Sequence, residues 1–143
     1  MTRSRRAASR RAAAGTDVRA AVLGLLLVAS QTSLACGVCV EDKIAAVYDH
    51  AAVHRALAAK RTVVFFHIDG KLVADERTKR SIASIARATP GVDAASVRVS
   101  CELASMALAF DGRRTTLVKV QENLEKRLSA QGLSLLAMQV REH

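Results

Sequence analysis

The sequence predicts an α+β fold in which strands and helices follow one another in the order β-α-β-β-α-β, preceded by one additional amphipathic helix. Three observations support this prediction: runs of residues that alternate with period two, runs with helical periodicity, and Gly- or Pro-containing turns between them. Residues 1–35 have instead the composition of an export signal. We therefore divide the chain into a signal peptide, residues 1–35, a C-x-x-C motif with a helix, residues 36–61, and an α+β domain, residues 62–143.

The additional helix is predicted between residues 40 and 59, a stretch that contains neither Gly nor Pro. Its apolar face repeats at alternating steps of four and three and comprises Val40, Ile44, Val47, Ala51, His54 and Ala58. Glu41 and Asp42 lie in the first turn, as the helix dipole prefers. Cys39 then lies at or just before the N-terminus of the helix, where the positive end of the dipole stabilises a thiolate.

The α+β domain contains six predicted elements. Alternating, β-branched or aromatic residues indicate strands at 62–68, 94–103, 106–110 and 133–140, and apolar stripes indicate helices at 75–88 and 117–128. This order is the split βαβ arrangement of ferredoxin-like folds, in which the two crossover helices cover one face of the sheet. Strand parity places an apolar hollow on the opposite face, lined by Val63, Phe65, Ala107 and Ala109. We expect the additional helix to cover that hollow.

The charge of the chain argues against a nucleic-acid partner. The formal net charge is +9, but residues 1–35 contribute +5 of it, from six Arg and one Asp. The remainder is dispersed, and only 3% of the residues are aromatic, so the sequence has neither a basic stripe nor a stacking platform.

The N-terminal segment has the three parts of a secretory signal. An Arg-rich start is followed by the apolar run 20–29 and by Ser33-Leu34-Ala35, which fits the small-x-small rule of a cleavage site. The apolar run is about half the ~20 residues that span a bilayer. We therefore expect an exported protein of the periplasm or cell envelope that begins at Cys36. Contact with a membrane would come only from the signal peptide or from a lipid on Cys36.

The motif Cys36-Gly37-Val38-Cys39 directly follows the cleavage site and is the strongest candidate site. Two thiolates satisfy linear Cu(I) or a similar soft metal ion, whereas zinc would need two further ligands. Two alternatives stay open: a thiol–disulfide redox pair, which is the one enzymatic interpretation, and a short structural disulfide. The preferred interpretation is a binding protein whose partner is a metal ion, with an envelope protein as the other candidate partner.

Two histidines, His50 and His54, extend the cysteine motif to the pattern C-x2-C-x10-H-x3-H. A continuous helix would separate Cys39 from His50 by about 16 Å, which is too far for one ion to bind both. We therefore expect a surface or half-buried histidine pair, with a separate two-histidine metal site as the alternative. Strand parity predicts structural roles for the third cysteine, Cys101, as a buried small hydrophobe, and for His67, as a packed or rim residue.

The domain also resembles a known family. The residues that carry the resemblance are Ile68-Asp69-Gly70, Pro90-Gly91-Val92, Val97-Arg98-Val99 and the stretch 107–111. They resemble the heavy-metal-associated domains of copper and mercury handling proteins, over about residues 62–140, which implies a ferredoxin-like fold and a soft-metal ligand. In that family the metal-binding C-x-x-C follows the Gly, but here the loop 71–77 contains no cysteine. No ligand is carried over, and only Cys36 and Cys39 could replace it.

Overall fold

A computed structural model describes residues 39–143 of the chain. Residues 1–35, predicted to be a signal peptide, and Cys36 lie outside the described residues, so the predictions that concern them stay predictions. The elements are α1 (Val40–Ala45), α2 (His50–Ala58), β1 (Thr62–Gly70), α3 (Glu76–Arg87), β2 (Arg98–Ser100), β3 (Ser105–Phe110), α4 (Leu117–Leu128) and β4 (Leu133–Arg141). Short 3-10 turns span Ala94–Ser96 and Ser129–Gln131. None of the helices within residues 39–143 combines the length and the hydropathy of a membrane-spanning segment.

The four strands form one antiparallel sheet with the order β2-β3-β1-β4. The central strand β1 pairs with β3, where Val64 lies opposite Leu108, and with β4, where Ile68 lies opposite Leu135. The register between β1 and β4 shifts at Phe65 and Phe66, so that β4 carries one extra residue there. The α+β class and the predicted β-α-β-β-α-β order are both confirmed.

The second strand is shorter than predicted. We expected a strand at 94–103, but only Arg98–Ser100 pairs with β3. Residues Ala94–Ser96 form a 3-10 turn because the side chain of Asp93 accepts a hydrogen bond from the Ala95 N–H at 3.2 Å. After Ser100 the chain turns back toward β3, and Ala104 adopts a positive φ of 48°. Local turn chemistry therefore overrides the alternating pattern at both ends of this strand.

The crossover helices α3 and α4 bury the main core against one face of the sheet. The helices contribute Ile82, Ala86, Val120, Leu124 and Leu128 to this core. The strands contribute the residues that alternate onto this face: Val64, Phe66, Ile68, Val99, Met106, Leu108 and Phe110. Both helices begin at side-chain caps, since Asp75 accepts from the Thr78 N–H and Thr116 from the Lys119 N–H. The 3-10 turn after α4 ends at Gly132, which takes up a left-handed φ of 69°.

The helices α1 and α2 cover the opposite face, as predicted for the additional helix. Seven buried residues form this second core: Val47, Val53, Ala56, Val63, Phe65, Ala107 and Ala109. Ile44, Leu57 and Met138 pack against its margin. The hollow on the sheet is therefore filled by the segment that follows the C-x-x-C motif.

The prediction of one continuous helix from residue 40 to 59 is wrong. Asp49 has an extended backbone, with φ −114° and ψ 106°, and its side chain accepts a hydrogen bond from the Ala52 N–H at 2.9 Å. This cap starts a new helix and changes the helical phase. Consequently Ala51, His54 and Ala58, which we predicted on the buried face, are exposed, whereas Ala52, Val53 and Ala56 are buried.

Candidate functional site

Cys39 is the N-cap residue of α1 and is exposed. Its backbone is extended, with φ −61° and ψ 154°, and its carbonyl accepts the Lys43 N–H at 3.2 Å. Its side chain makes no capping hydrogen bond. The predicted place of Cys39 at a helix start is confirmed, but that helix has six residues instead of about five turns. The thiol is therefore open to solvent at the first turn of a short helix.

Contacts of α1 with the sheet show where Cys39 lies. Nζ of Lys43 is 3.2 Å from Nδ1 of His67, near the C-terminal end of β1. Tyr48, at the other end of this segment, stacks on Phe65, with ring centroids 6.2 Å apart. The chain therefore runs from the C-terminal end of β1 toward its middle, and Cys39 precedes Lys43 by one helical turn. Cys39 therefore lies within one helical turn of the contact between Lys43 and His67.

His67 is half-buried beneath α1, as its predicted role as a packed or rim residue requires. Its Nδ1 lies 2.9 Å from the carbonyl oxygen of Ala104 as well as 3.2 Å from Nζ of Lys43. A protonated Nδ1 donates to the carbonyl, whereas an unprotonated Nδ1 accepts from the ammonium group, so the two contacts need different tautomers. The hydrogen bonds found among residues 39–143 engage only Nδ1 of this ring.

His50 and His54 are adjacent on α2, as predicted, with ring centroids 4.1 Å apart and both rings exposed. The break before α2 removes the continuous helix on which the expected distance from Cys39 to His50 was based. Even so, residues 39–143 contain no group of three or more His, Cys, Asp or Glu side chains that could hold a metal ion. The structure shows an exposed histidine pair, and the alternative of a two-histidine metal site stays a prediction.

Cys101 is buried in the main core, as its strand parity predicts. Burial raises the pKa of its thiol above the ordinary value of 9.0, and the neighbouring carboxylate of Glu102 adds to the effect. Cys101 is therefore shielded from solvent, whereas Cys39 is exposed.

Two contacts that sequence reasoning missed hold the N-terminal segment on the sheet. The guanidinium of Arg98 on β2 binds the carboxylate of Asp49, with Nη2 and Oδ2 2.7 Å apart. On the other side of the segment, the guanidinium of Arg141 lies over the rings of Tyr48 and Phe65, at 5.3 and 5.7 Å from their centroids. A sequence signal existed for the cap at Asp49 but not for its ion pair, because Asp49 directly precedes the helical run 50–58 and Asp is a preferred N-cap.

The floor beneath α1 also contains an unpaired polar group. Ser105 lies opposite His67 in the pairing of β3 with β1 and is fully buried. Within the described part of the chain, its hydroxyl finds no hydrogen-bond partner. Among the described residues, Ser105 is therefore the one buried side chain with an unpaired polar atom.

Comparison with known proteins assigns no family to the chain. No protein-family model and no curated protein matches it. The crystal structure of oxidized MerP from Ralstonia metallidurans CH34 is similar to this chain, with 18% sequence identity and a TM-score of 0.44. The likeness covers 55% of this chain and 99% of that one.

Proposed function

We propose that this protein is exported to the cell envelope, where it holds or transfers a soft metal ion such as Cu(I) through Cys36 and Cys39. It acts as a binding protein rather than an enzyme, and the ion is its cargo. The observation that carries the proposal is the exposed Cys39 at the start of α1, a helix that precedes a segment fastened to the sheet on both sides. Cys39 presents its thiol to solvent beside an anchored segment, and we propose Cys36 as the second ligand.

The chemistry of two thiolates suits a soft ion with a low coordination number. Sulfur ligands select Cu(I) over hard cations, and two of them satisfy linear coordination. Because each thiol must lose its proton to bind, loading of the ion releases protons and strengthens with pH. A two-coordinate ion in an exposed site leaves room for a third ligand from a partner, which is the step that transfer requires.

The sheet supplies the rigidity that this site needs. Val47 and Phe65 are buried together in the second core, and Tyr48 stacks on Phe65. This packing anchors the chain within nine residues of Cys39. An attached motif costs less ordering entropy on binding than a free peptide with the same two cysteines.

A thiol–disulfide role is the second candidate, and the same exposed Cys39 supports it. Because Cys101 is buried, Cys36 is the cysteine that would form the disulfide with Cys39. In this case the pair would exchange with glutathione at a defined potential. A domain that binds an envelope protein without metal is the third candidate.

Competition for Cu(I) against a chromophoric chelator separates these candidates. We expect one ion per chain, lost in the double variant Cys36→Ser, Cys39→Ser and retained in the control Cys101→Ser. A disulfide that equilibrates with glutathione, without retention of Cu(I), would support the redox role instead. Loss of Cu(I) in the Cys101→Ser control as well would overturn the assignment of the site.

Export is tested separately by the mass of the protein in the envelope fraction. We expect a mature chain that begins at or near Cys36, and a mass increment would reveal a lipid on that cysteine. A chain that still begins at Met1 would overturn this part of the proposal.

A further inference from the structure

The strand β2 lies at one edge of the sheet, next to β3. In an antiparallel pair, alternate residues direct their N–H and C=O groups to the neighbouring strand, and the others point away from it. The N–H and C=O groups of Ala109 bond to the β2 side, so by alternation Arg98 and Ser100 pair with β3 and Val99 directs its N–H and C=O outward. These outward groups of Val99 are a template on which another extended chain can pair. Peptides commonly bind proteins by adding a strand to an exposed sheet edge of this kind.

A groove with a volume of about 640 Å³ follows this edge. Its floor is the edge of the sheet at Val97, Arg98 and Val99. One wall is the turn 46–49 between α1 and α2, and the other wall is helix α3. Because α1 and α2 cover one face of the sheet and α3 covers the other, a strand added to β2 would be held between two walls.

The charges that line the groove favour an acidic occupant. Both acidic groups in the lining already have basic partners, since Asp49 binds Arg98 at 2.7 Å and Glu76 lies 3.4 Å from Lys79. Arg80 and Arg87, one on each half of α3, are exposed, and their guanidinium groups are available to an acidic ligand. Arg80 also donates from Nε to the backbone carbonyl of Glu76 at 3.1 Å, which holds its stem against the helix.

We propose that this groove binds an acidic, extended segment of a partner protein as a strand added to β2. The N-terminal segment of the same chain is excluded by its charge, because residues 1–35 contain six Arg and one Asp. A second copy is disfavoured for the same reason, since it would bring the same cations to the groove. The inference does not depend on the chemistry of Cys36 and Cys39.

The three residues of β2 allow only a short ladder, so the backbone determines orientation while charge contributes much of the affinity. Two features of the ligand are then separable. A peptide with reversed charge keeps the ladder and loses the attraction, whereas N-methylation of alternate residues keeps the charge and removes the ladder.

The test uses the full-length protein and a short fluorescein-labelled peptide of alternating Glu and Val. The groove variant is Arg80→Glu, Arg87→Glu, and the matched control is Lys119→Glu, Arg127→Glu on helix α4, where both residues are exposed. All variants carry the same N-terminal arginines, so any attraction of the peptide to residues 1–35 cancels. Fluorescence anisotropy at several salt concentrations gives the affinities.

We expect Kd to rise by about tenfold or more in the groove variant and by less than about twofold in the control. N-methylation should weaken binding to the parent protein, and the unmodified peptide should shift the amide resonances of Arg98–Ser100. Equal losses in both variants would overturn the groove as the site. Absence of binding to the parent, or no effect of N-methylation, would overturn strand addition. The peptide comparison uses only the parent protein, so it decides the matter even if a variant fails to fold.

Discussion

Arg98 donates two hydrogen bonds to one carboxylate oxygen of Asp49, from Nη2 at 2.7 Å and from Nε at 3.1 Å, while the other oxygen accepts the Ala52 N–H at 2.9 Å. One side chain thus begins helix α2 and fastens it to the edge strand of the sheet. Nη1 of Arg98 also donates to two backbone carbonyls, at Ala95 and Val97. The guanidinium is therefore held by these backbone carbonyls as well as by the carboxylate.

Replacement of Asp49 separates its two roles. Asn is as good an N-cap as Asp but carries no charge, whereas Ala provides neither the cap nor the ion pair. We expect amide protection in α2 to fall in the order parent, Asp49→Asn, Asp49→Ala. Hydrogen exchange measured by mass spectrometry checks this order, with the amides of α4 as an internal control. Equal protection in the Asn and Ala variants would show that the cap contributes nothing.

The same carboxylate predicts a pH dependence. The Ala52 N–H and the Arg98 guanidinium hold the pKa of Asp49 below its ordinary value of 3.8. The unfolded chain therefore binds a proton at higher pH than the folded protein, and the stability that Asp49 contributes is complete at neutral pH. It is lost as the pH falls below about 4. Denaturant titrations from pH 7 to pH 3 should show a smaller acid loss for Asp49→Asn than for the parent, and parallel curves would contradict the prediction.

Phe65 should decide whether the N-terminal segment stays on the sheet. It is fully buried in the second core, under the ring of Tyr48. We expect Phe65→Ala to lower the free energy of unfolding by about 3–5 kcal/mol. Phe65→Asp should remove amide protection from residues 40–58 while the crossover helices stay protected. The matched control is Leu136→Asp, because Leu136 is 63% exposed. Loss of protection in α3 and α4 as well would show that the two cores unfold together.

Two buried serines should respond in opposite directions to the same substitution. The hydroxyl of Ser105 has no partner among the described residues, so Ser105→Ala should stabilise the protein by about 1 kcal/mol. The hydroxyl of Ser96 accepts the Ala109 N–H at 2.7 Å and donates to the Asp93 carbonyl at 2.6 Å. Ser96→Ala should therefore destabilise it by about 1–2 kcal/mol. Chemical denaturation measures both, and a loss of stability in both variants would mean that Ser105 has a partner.

Cys39 and Cys101 should differ in reactivity. In the reduced, folded protein we expect alkylation of Cys39, which is exposed, to be at least about tenfold faster than alkylation of Cys101. The buried Cys101 combines poor access with a raised pKa. Peptide mapping after short exposure to iodoacetamide measures the ratio, and denatured protein provides the equal-reactivity control. Equal rates in the folded state would contradict the burial of Cys101.

The sheet and its two faces were predictable because the side chains of a strand alternate between the faces with a period of two residues. That parity placed Cys101 in the main core and His67 on the face with Phe65, and it placed an apolar segment over Phe65. These features follow from long-range burial, which the alternation of apolar residues records directly. The position of Cys39 at a helix start followed in the same way from helical periodicity.

The break in the N-terminal helix and the short β2 were not predicted. At Asp49 and at Asp93, a carboxylate accepts a backbone N–H two or three residues ahead, which the apolar periodicity does not record. The helical phase after Asp49 was therefore wrong, although the segment was assigned to the correct face. The contact of Arg98 with Asp49 joins residues far apart in sequence, and no local pattern predicts such a pair.

The segment that covers the second core precedes its own docking surface in the sequence. Val53 and Ala56 pack with Ala107 and Ala109, so they cannot find their final contacts until β3 has been made and paired with β1. Such long-range closure is slow compared with helix formation. In a chain that crosses a membrane N-terminus first, the C-x-x-C motif would arrive while its anchor is still unfolded. The cysteines of the nascent protein would then meet envelope oxidants, metal ions and chaperones before the sheet restrains them.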